Sequence, residues 1–467
     1  MKSALTSPRG FYLGGVALLF LALPVALFWR PGLFFFIEDD WAFLSQMVSH
    51  PFWQYLLMPD GEVWMPLSRA VYYGLIHTFG EHYGSLLLIN CLAGGLLAFL
   101  YYLFLRQHFR PLTALVLGLF YGGAAALTSL NQVAYYINAL LCYIFFLLAL
   151  LLTDRYLHSS SRVLLAGIAL CVWLSLISWN FTILAVWALP LYIGILGGKG
   201  ERRKFLAVSA VVALSFLTFT LGYFAFAGFT AAASHNRGIV AGWPGPAYLL
   251  HWLFGACLSP FFYLFWGHYH YPVWAYALGG AALVFSLGLI WRWGDLKERR
   301  LGLWALCLNA LPFFLVSLAR YQRGVNQAFA PRYAVYTLMG ALILLGTAWG
   351  ILKRRLRPGA GVRLLPLVVL AVMVAGQVLS LPQWEKLYGG MSRASRDFYQ
   401  GLDISGQSRR GATGEMVPPH FWYPDRLQLT WGQAVSIREL LHGTPEGGKR
   451  QVVKDNCGQE AGSGSKQ

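Results

Sequence analysis

Eleven apolar runs constrain this chain more than anything else in it: residues 11–29, 83–105, 112–128, 137–153, 163–179, 181–197, 205–228, 274–291, 301–318, 333–352 and 364–382. A helix rises about 1.5 Å per residue, so a run of about 20 apolar residues crosses a hydrocarbon layer roughly 30 Å thick. Only a helix or a closed barrel satisfies its backbone polar groups in lipid, and runs this long are helical in length and composition. The pattern therefore predicts an all-α, polytopic membrane protein with about eleven transmembrane helices. With 57% hydrophobic and only 12% charged residues, the chain carries more apolar surface than a soluble core needs.

Two stretches are less regular. Trp179 and Asn180 are nearly all that separates the fifth run from the sixth, which predicts a tight hairpin. Residues 247–265 are apolar, but Pro244, Pro246 and Pro260 interrupt the pattern, so they are expected to form a re-entrant or interfacial helix. The first run lacks a signal peptide's small-residue cleavage site and is too long for one, which predicts an anchor that stays.

A formal charge of +17 suggests a nucleic-acid binder until its distribution is considered. With the N-terminus in the cytoplasm, 19 basic residues fall in cytoplasmic segments and six (30, 69, 237, 320, 323 and 332) in outer loops. That is the positive-inside pattern, which sets orientation and needs no polyanion. It predicts a multi-pass protein of a bacterial inner membrane with its C-terminus in the periplasm. The six cysteines are scattered, without metal or redox spacing, so neither a disulfide framework nor a metal site is expected.

The acidic residues are distributed differently. Of 19, six lie between Ile37 and His82, and Glu38, Asp39 and Asp40 are consecutive at the end of the first run. Three adjacent carboxylates cannot sit in hydrocarbon, so they belong at the outer surface. Helical spacing is expected from Asp40 to Ser49, and from Pro66 to Phe79 with Leu67, Val71 and Leu75 on its apolar face. Residues 1–382 read as the membrane domain, with 30–82 as its first outer loop. Residues 383–467 read as a tail that caps it, with short helices at 383–400 and 431–442 and a disordered end from Pro445.

A carboxylate on the outer face can take a proton from an acceptor hydroxyl if its neighbours tune its pKa. An arginine on the same face can clamp a phosphate through two parallel hydrogen bonds. Base and clamp together are what inverting sugar transfer from a lipid phosphate requires.

The order of these features resembles the GT-C superfamily of integral membrane glycosyltransferases, which includes protein O-mannosyltransferases and bacterial enzymes using polyprenyl-phosphate sugars. Besides the acidic pair, Trp64-Met65-Pro66-Leu67-Ser68-Arg69, Gly80 and Leu88-Ile89-Asn90 are similar to the run RPLSR, G and NLLLH of bacterial relatives. Gln132 to Ile137 is similar to a short outer turn, and Arg332-Tyr333 to the RY element of the family. The resemblance implies a polyprenyl-phosphate-linked sugar as donor and an outer-face acceptor. It implies Asp39 or Asp40 as general base, with Glu38 behind them, and Arg332, Arg69 and Tyr333 at the donor phosphate. No cofactor or metal is required, and no nucleic acid is expected. A groove is expected between the first loop and residues 229–273, with Asp39 or Asp40 at its floor and Arg332 within reach.

The chain departs from that pattern at Met65 and Asn138, where relatives carry arginine, at Gly94, where they carry histidine, and at Trp179-Asn180, where a Lys-Glu pair is common. The alternatives are a lipid-linked glycan flippase or other transporter, and a non-catalytic scaffold of the same architecture. A transporter is expected to carry ionisable or broken helix pairs near the midplane, and these spans carry almost no charge.

Overall fold

The structure is a computed structural model that describes residues 8–37, 39–59, 63–235, 245–266, 272–320, 330–356, 360–404 and 431–442. Among them the chain is helical and has no strands. It is an all-α polytopic membrane protein. Seven of its helices are long and apolar enough to cross a membrane, and four shorter apolar helices accompany them.

The first helix is α1 (Pro8–Phe28). The loop after it carries α2 (Asp39–Ser49) and α4 (Pro66–Phe79), which end where their spacing predicts, and between them a short helix the spacing did not predict, α3 (Phe52–Leu57). Then come α5 (Tyr83–His108), α6 (Pro111–Gly122), α7 (Leu127–Gln132) and, after a single 3-10 turn at Ala134–Tyr136, α8 (Ile137–Ser159). The chain continues through α9 (Arg162–Ser178), α10 (Thr182–Ala185), α11 (Ala188–Leu196) and α12 (Arg202–His235). Last are α13 (Gly245–Leu253), α14 (Ser259–Phe265), α15 (Val273–Trp293), α16 (Leu296–Arg320), α17 (Pro331–Arg355), α18 (Ala360–Ile404) and α19 (Trp431–His442).

Every expected run is helical, but two are interrupted. The run at 112–128 stops at Gly122, and the run at 181–197 is divided between α10 and α11. In lipid there is no hydrophobic drive to bring helices together, so packing and hydrogen bonds between helices do that work. Tyr101 donates to the Met339 carbonyl at 2.6 Å and Trp304 to that of Ala188 at 2.8 Å, tying α5 to α17 and α16 to α11.

Contacts sort the connections onto two faces. On one, Arg354 at the end of α17 bridges Glu298 at the start of α16, and Lys204 at the start of α12 donates to the Leu157 carbonyl near the end of α8. This is the face of the basic loops. On the other, the first loop packs over the starts of α5 and α8 and the ends of α9 and α18; we call it the acidic face.

Residues 246–265 are long and apolar enough to cross. Their contacts place them otherwise. Tyr248 and Trp252 donate to the carbonyls of Phe314 and Ala310, in the half of α16 toward the acidic face. Trp266 lies 5.6 Å from Trp274 at the start of α15, on that face too. One π-helical turn, Phe254–Leu258, joins α13 to α14, and both ends of the segment face the same side.

Two expectations change. The chain does not break near residue 382, because α18 runs 45 residues without interruption from the last span to Ile404. Its extension lies along residues 30–41: Arg30 pairs with Glu385 at 3.2 Å, Trp41 donates to Ser395 at 2.6 Å, and Arg396 donates to the Phe34 carbonyl at 3.2 Å. The face of α4 also differs. Leu67, Val71 and Leu75 are half-buried, while Ser68, Arg69, Tyr72 and Ile76 point inward. Ser68, Arg69 and Tyr72 find hydrogen-bond partners beneath α4, so the polar stripe is the buried one.

The tail's α19 falls where the sequence puts it, and it caps the first loop. Ile437 and Leu441 are buried, Gln433 donates to Ser49 at 2.8 Å, and the Leu441 carbonyl accepts the Glu81 N–H at 3.0 Å. Gly80 makes this approach possible: its φ is +51°, and a Cβ there would collide with the Leu441 carbonyl. The expected disorder from Pro445 lies outside the described residues.

Candidate functional site

The carboxylate cluster separates into three cases. Glu38 lies outside the described residues, Asp39 is the first residue of α2, and Asp40 is wholly buried. Asp40 turns inward because donors from three separate segments converge there. One carboxylate oxygen accepts the Tyr135 N–H at 2.8 Å and the Tyr72 hydroxyl at 3.1 Å. The other accepts the Ile37 N–H at 3.2 Å, with the Tyr83 hydroxyl at 3.3 Å. Tyr83 in turn accepts the Ala134 N–H at 3.1 Å. Asp40 thus joins the first loop, the start of α5 and the 3-10 turn before α8 at a single point.

Burial pushes the Asp40 carboxyl up to about 7, against the pull of the Ile37, Tyr135, Tyr72 and Tyr83 hydrogen bonds. Burial also raises the Tyr72 phenol well above its usual range, and the Asp40 charge adds to that shift. Tyr72 therefore stays a donor.

Next along the turn, Tyr136 meets the expected phosphate ligand. The Arg332 guanidinium donates to the Tyr136 hydroxyl at 2.9 Å and lies 5.2 Å from the Tyr333 ring. Tyr143 fixes the backbone by donating to the Arg332 carbonyl at 2.7 Å. Asp40 and Arg332 hold consecutive residues, Tyr135 and Tyr136, of one three-residue turn. Tyr333 is buried and stacks on Phe181 at 5.2 Å and Trp179 at 6.2 Å.

Arg69 is placed differently from the expectation. It is wholly buried, donates to the Tyr55 carbonyl at 3.1 Å and to Gln46 at 2.7 Å, and lies between the rings of Phe43 and Tyr55 at 4.7 and 4.9 Å. A side chain so enclosed packs the loop and offers no surface to a phosphate. Of the other outer-loop arginines, Arg237 and Arg323 lie outside the described residues.

The departures from the resemblance turn out to be neighbours. The Met65 sulfur is 3.7 Å from the Tyr135 hydroxyl and 3.6 Å from the Asn138 amide, so the two missing arginines are replaced by one neutral contact. Trp179 supplies a stacked ring beside Tyr333. A Cβ at Gly94 would come within 2.7 Å of Asn131 Oδ1, so a larger side chain there displaces Asn131.

Sequence reasoning did not single out Tyr72, Tyr83 and Gln46, because tyrosines and glutamines are common in interfacial loops and only the fold turns these toward Asp40 and Arg69. The turn at Gln132–Ile137 did carry a signal. Part of the groove expected toward 229–273 lies outside the described residues, which omit 236–244 and 267–271. Among the described residues, no three His, Cys, Asp or Glu side chains converge as a metal would need.

A cavity of about 480 Å³ opens on the other side of Tyr83, among the first loop, α18 and α19. Arg396, Arg438, His82, His442 and Glu81 line it together with aromatic rings. No known protein family matches the chain, and no curated protein is significantly similar to it.

Proposed function

We propose that this protein is an inverting glycosyltransferase that moves a sugar from a polyprenyl-phosphate carrier to an acceptor at the acidic face of the membrane. The observation that carries the reading is the pairing of Asp40 and Arg332 with Tyr135 and Tyr136 of one turn. That pairing fixes the start of the acid-bearing helix α2 beside a cation suited to a departing phosphate. The positive-inside pattern makes this face the periplasmic side of a bacterial inner membrane, with the N-terminus cytoplasmic.

In this reading Asp39 is the general base. Asp40, whose oxygens are engaged by four donors, positions the start of α2. The acceptor oxygen attacks the anomeric carbon as Asp39 takes its proton. The bond to the carrier phosphate breaks, and Arg332 offsets the charge left on that phosphate. Tyr333, Phe181 and Trp179 offer ring faces to an apolar or sugar surface near the leaving group.

The neutral contact between Met65 and Asn138 favours a second reading, a scaffold that keeps the architecture without the chemistry. Lipid-linked sugars and surface glycans of cells carrying Asp39→Asn, at matched protein levels, decide between them. Loss of the base is expected to slow transfer by about 10² to 10⁴. Unchanged transfer in Asp39→Asn would remove the base and leave the scaffold.

A further inference from the structure

The cavity beyond Tyr83 is enclosed by parts of the chain that the sequence keeps far apart. Gly32, Phe34 and Phe35 come from the first loop, Glu81 to Gly84 from the approach to α5, Arg396 and Tyr399 from α18, and Arg438 and His442 from α19. Its volume of about 480 Å³ falls within the range of about 300 to 1,000 Å³ usual for small-molecule sites.

The charges in its lining are uneven. Arg396 is held over Phe35 at 5.7 Å with one nitrogen on the Phe34 carbonyl at 3.2 Å, so its guanidinium is fixed at the wall. Arg438 and His442 lie four residues apart on α19, on one helical face. Glu81, the one carboxylate of the lining among the described residues, lies 3.3 Å from His442, and that imidazole stacks on Tyr399. Arg396 and Arg438 bring two guanidinium groups to the lining. The 26-residue helix α5 begins at Tyr83 and Gly84 in the same wall, which adds the positive end of its dipole. Rings of Phe34, Phe35, Tyr83 and Tyr399 complete it, a surface on which a sugar face or the glycerol end of a lipid can rest.

We propose that this cavity is the acceptor site and that it takes a headgroup carrying a phosphate monoester. Tyr83 lines the cavity and its hydroxyl lies 3.3 Å from Asp40, so one side chain connects the cavity to the residue that anchors α2. The role as acceptor site rests on the sugar-transfer reading; the binding of a phosphate monoester does not.

The experiment is a calorimetric titration of the full-length protein in detergent, with no sugar donor present. The probes are dihexanoyl phosphatidic acid, dihexanoyl phosphatidylcholine, which lacks the monoester, and inorganic phosphate. Phosphatidic acid is expected to bind at least about tenfold more tightly than phosphatidylcholine, because the monoester accepts bidentate hydrogen bonds from arginine. Arg396→Gln and Arg438→Gln are each expected to weaken it about tenfold, and Arg438→Lys to recover part of the loss. Tighter binding of the lipid than of inorganic phosphate identifies a headgroup as the natural source. Inorganic phosphate binding while the lipid is excluded overturns the acceptor role. Equal binding of the two lipids, or no change in either glutamine variant, overturns the site. A failure there leaves sugar transfer standing, whereas unchanged transfer in Asp39→Asn removes the transfer reading and leaves the binding result intact.

Discussion

The two faces of this protein use charge in opposite ways. On the basic face, charged side chains are numerous and many reach water: Arg354, more than half exposed, pairs with Glu298 at 2.6 Å. On the acidic face, Asp40 and Arg69 are wholly buried, and their partners are hydroxyls, amides, carbonyls and rings. Charge in water near a membrane sets which way the chain inserts and contributes little to the fold, because water and salt screen it. Charge taken out of water must be matched by local dipoles, and the segments that supply them become fixed to one another. The basic loops therefore orient the molecule, while Asp40 and Arg69 organise its site.

The strongest way to break this contrast is Asp40→Ala. It leaves the Ile37 and Tyr135 N–H groups and the Tyr72 phenol without their acceptor, while the Tyr83 hydroxyl keeps the Gln132 carbonyl at 3.2 Å; each buried donor left unsatisfied costs about 1 to 3 kcal/mol. We expect a loss of at least about 3 kcal/mol, seen as a large drop in thermal midpoint in detergent, together with loss of transfer. A midpoint within 2 °C of wild type would show that Asp40 organises nothing.

A pH series sharpens the same point. The folded carboxyl titrates near 7 against an ordinary value of 3.8, so between those values the folded protein holds a proton that the unfolded chain has released. Its contribution to stability is therefore full below about pH 4, falls as pH rises toward 7, and levels off above, a loss of about 4 kcal/mol at most. Wild type should lose thermal stability between pH 5.5 and 8, and Asp40→Asn should lose clearly less. Parallel curves for the two proteins would place the pH dependence elsewhere.

Gly80→Ala tests the cap on the acidic face. It adds a Cβ at positive φ against the Leu441 carbonyl, and about 1 to 3 kcal/mol of strain is expected to lift α19 from the first loop. Faster limited proteolysis after residue 430, with the spans still protected, is the expected readout. The smallest effect belongs to the basic face. Arg354→Gln is expected to cost less than about 1 kcal/mol and to leave the thermal midpoint nearly unchanged.

Much of the fold was legible because its rules are local. Run length predicts the spans, helical spacing predicts α2 and α4 to within a residue, and the short helix expected in the tail at 431–442 is α19. The site was legible only in part. The acidic pair and Arg332 stand out because charge is rare in such a chain, but spacing does not tell which carboxylate turns inward. Nor does it tell that Arg69 is enclosed, or that α4 buries Arg69 and Tyr72 rather than Leu67 and Val71.

By itself, then, the sequence determined that the chain is helical, that it crosses the membrane many times, and that the acidic cluster after the first run and the basic loops fall on opposite faces. These follow from the cost of placing backbone dipoles and charges in hydrocarbon, which each segment meets alone. Tertiary structure decided what Asp40 and Arg332 touch, that α18 continues past the membrane to hold residues 30–41, and that α19 closes a basic cavity over Tyr83. Those depend on donors and rings separated by up to several hundred residues, and only the packed chain brings them within the 3 Å or so at which a buried charge is satisfied.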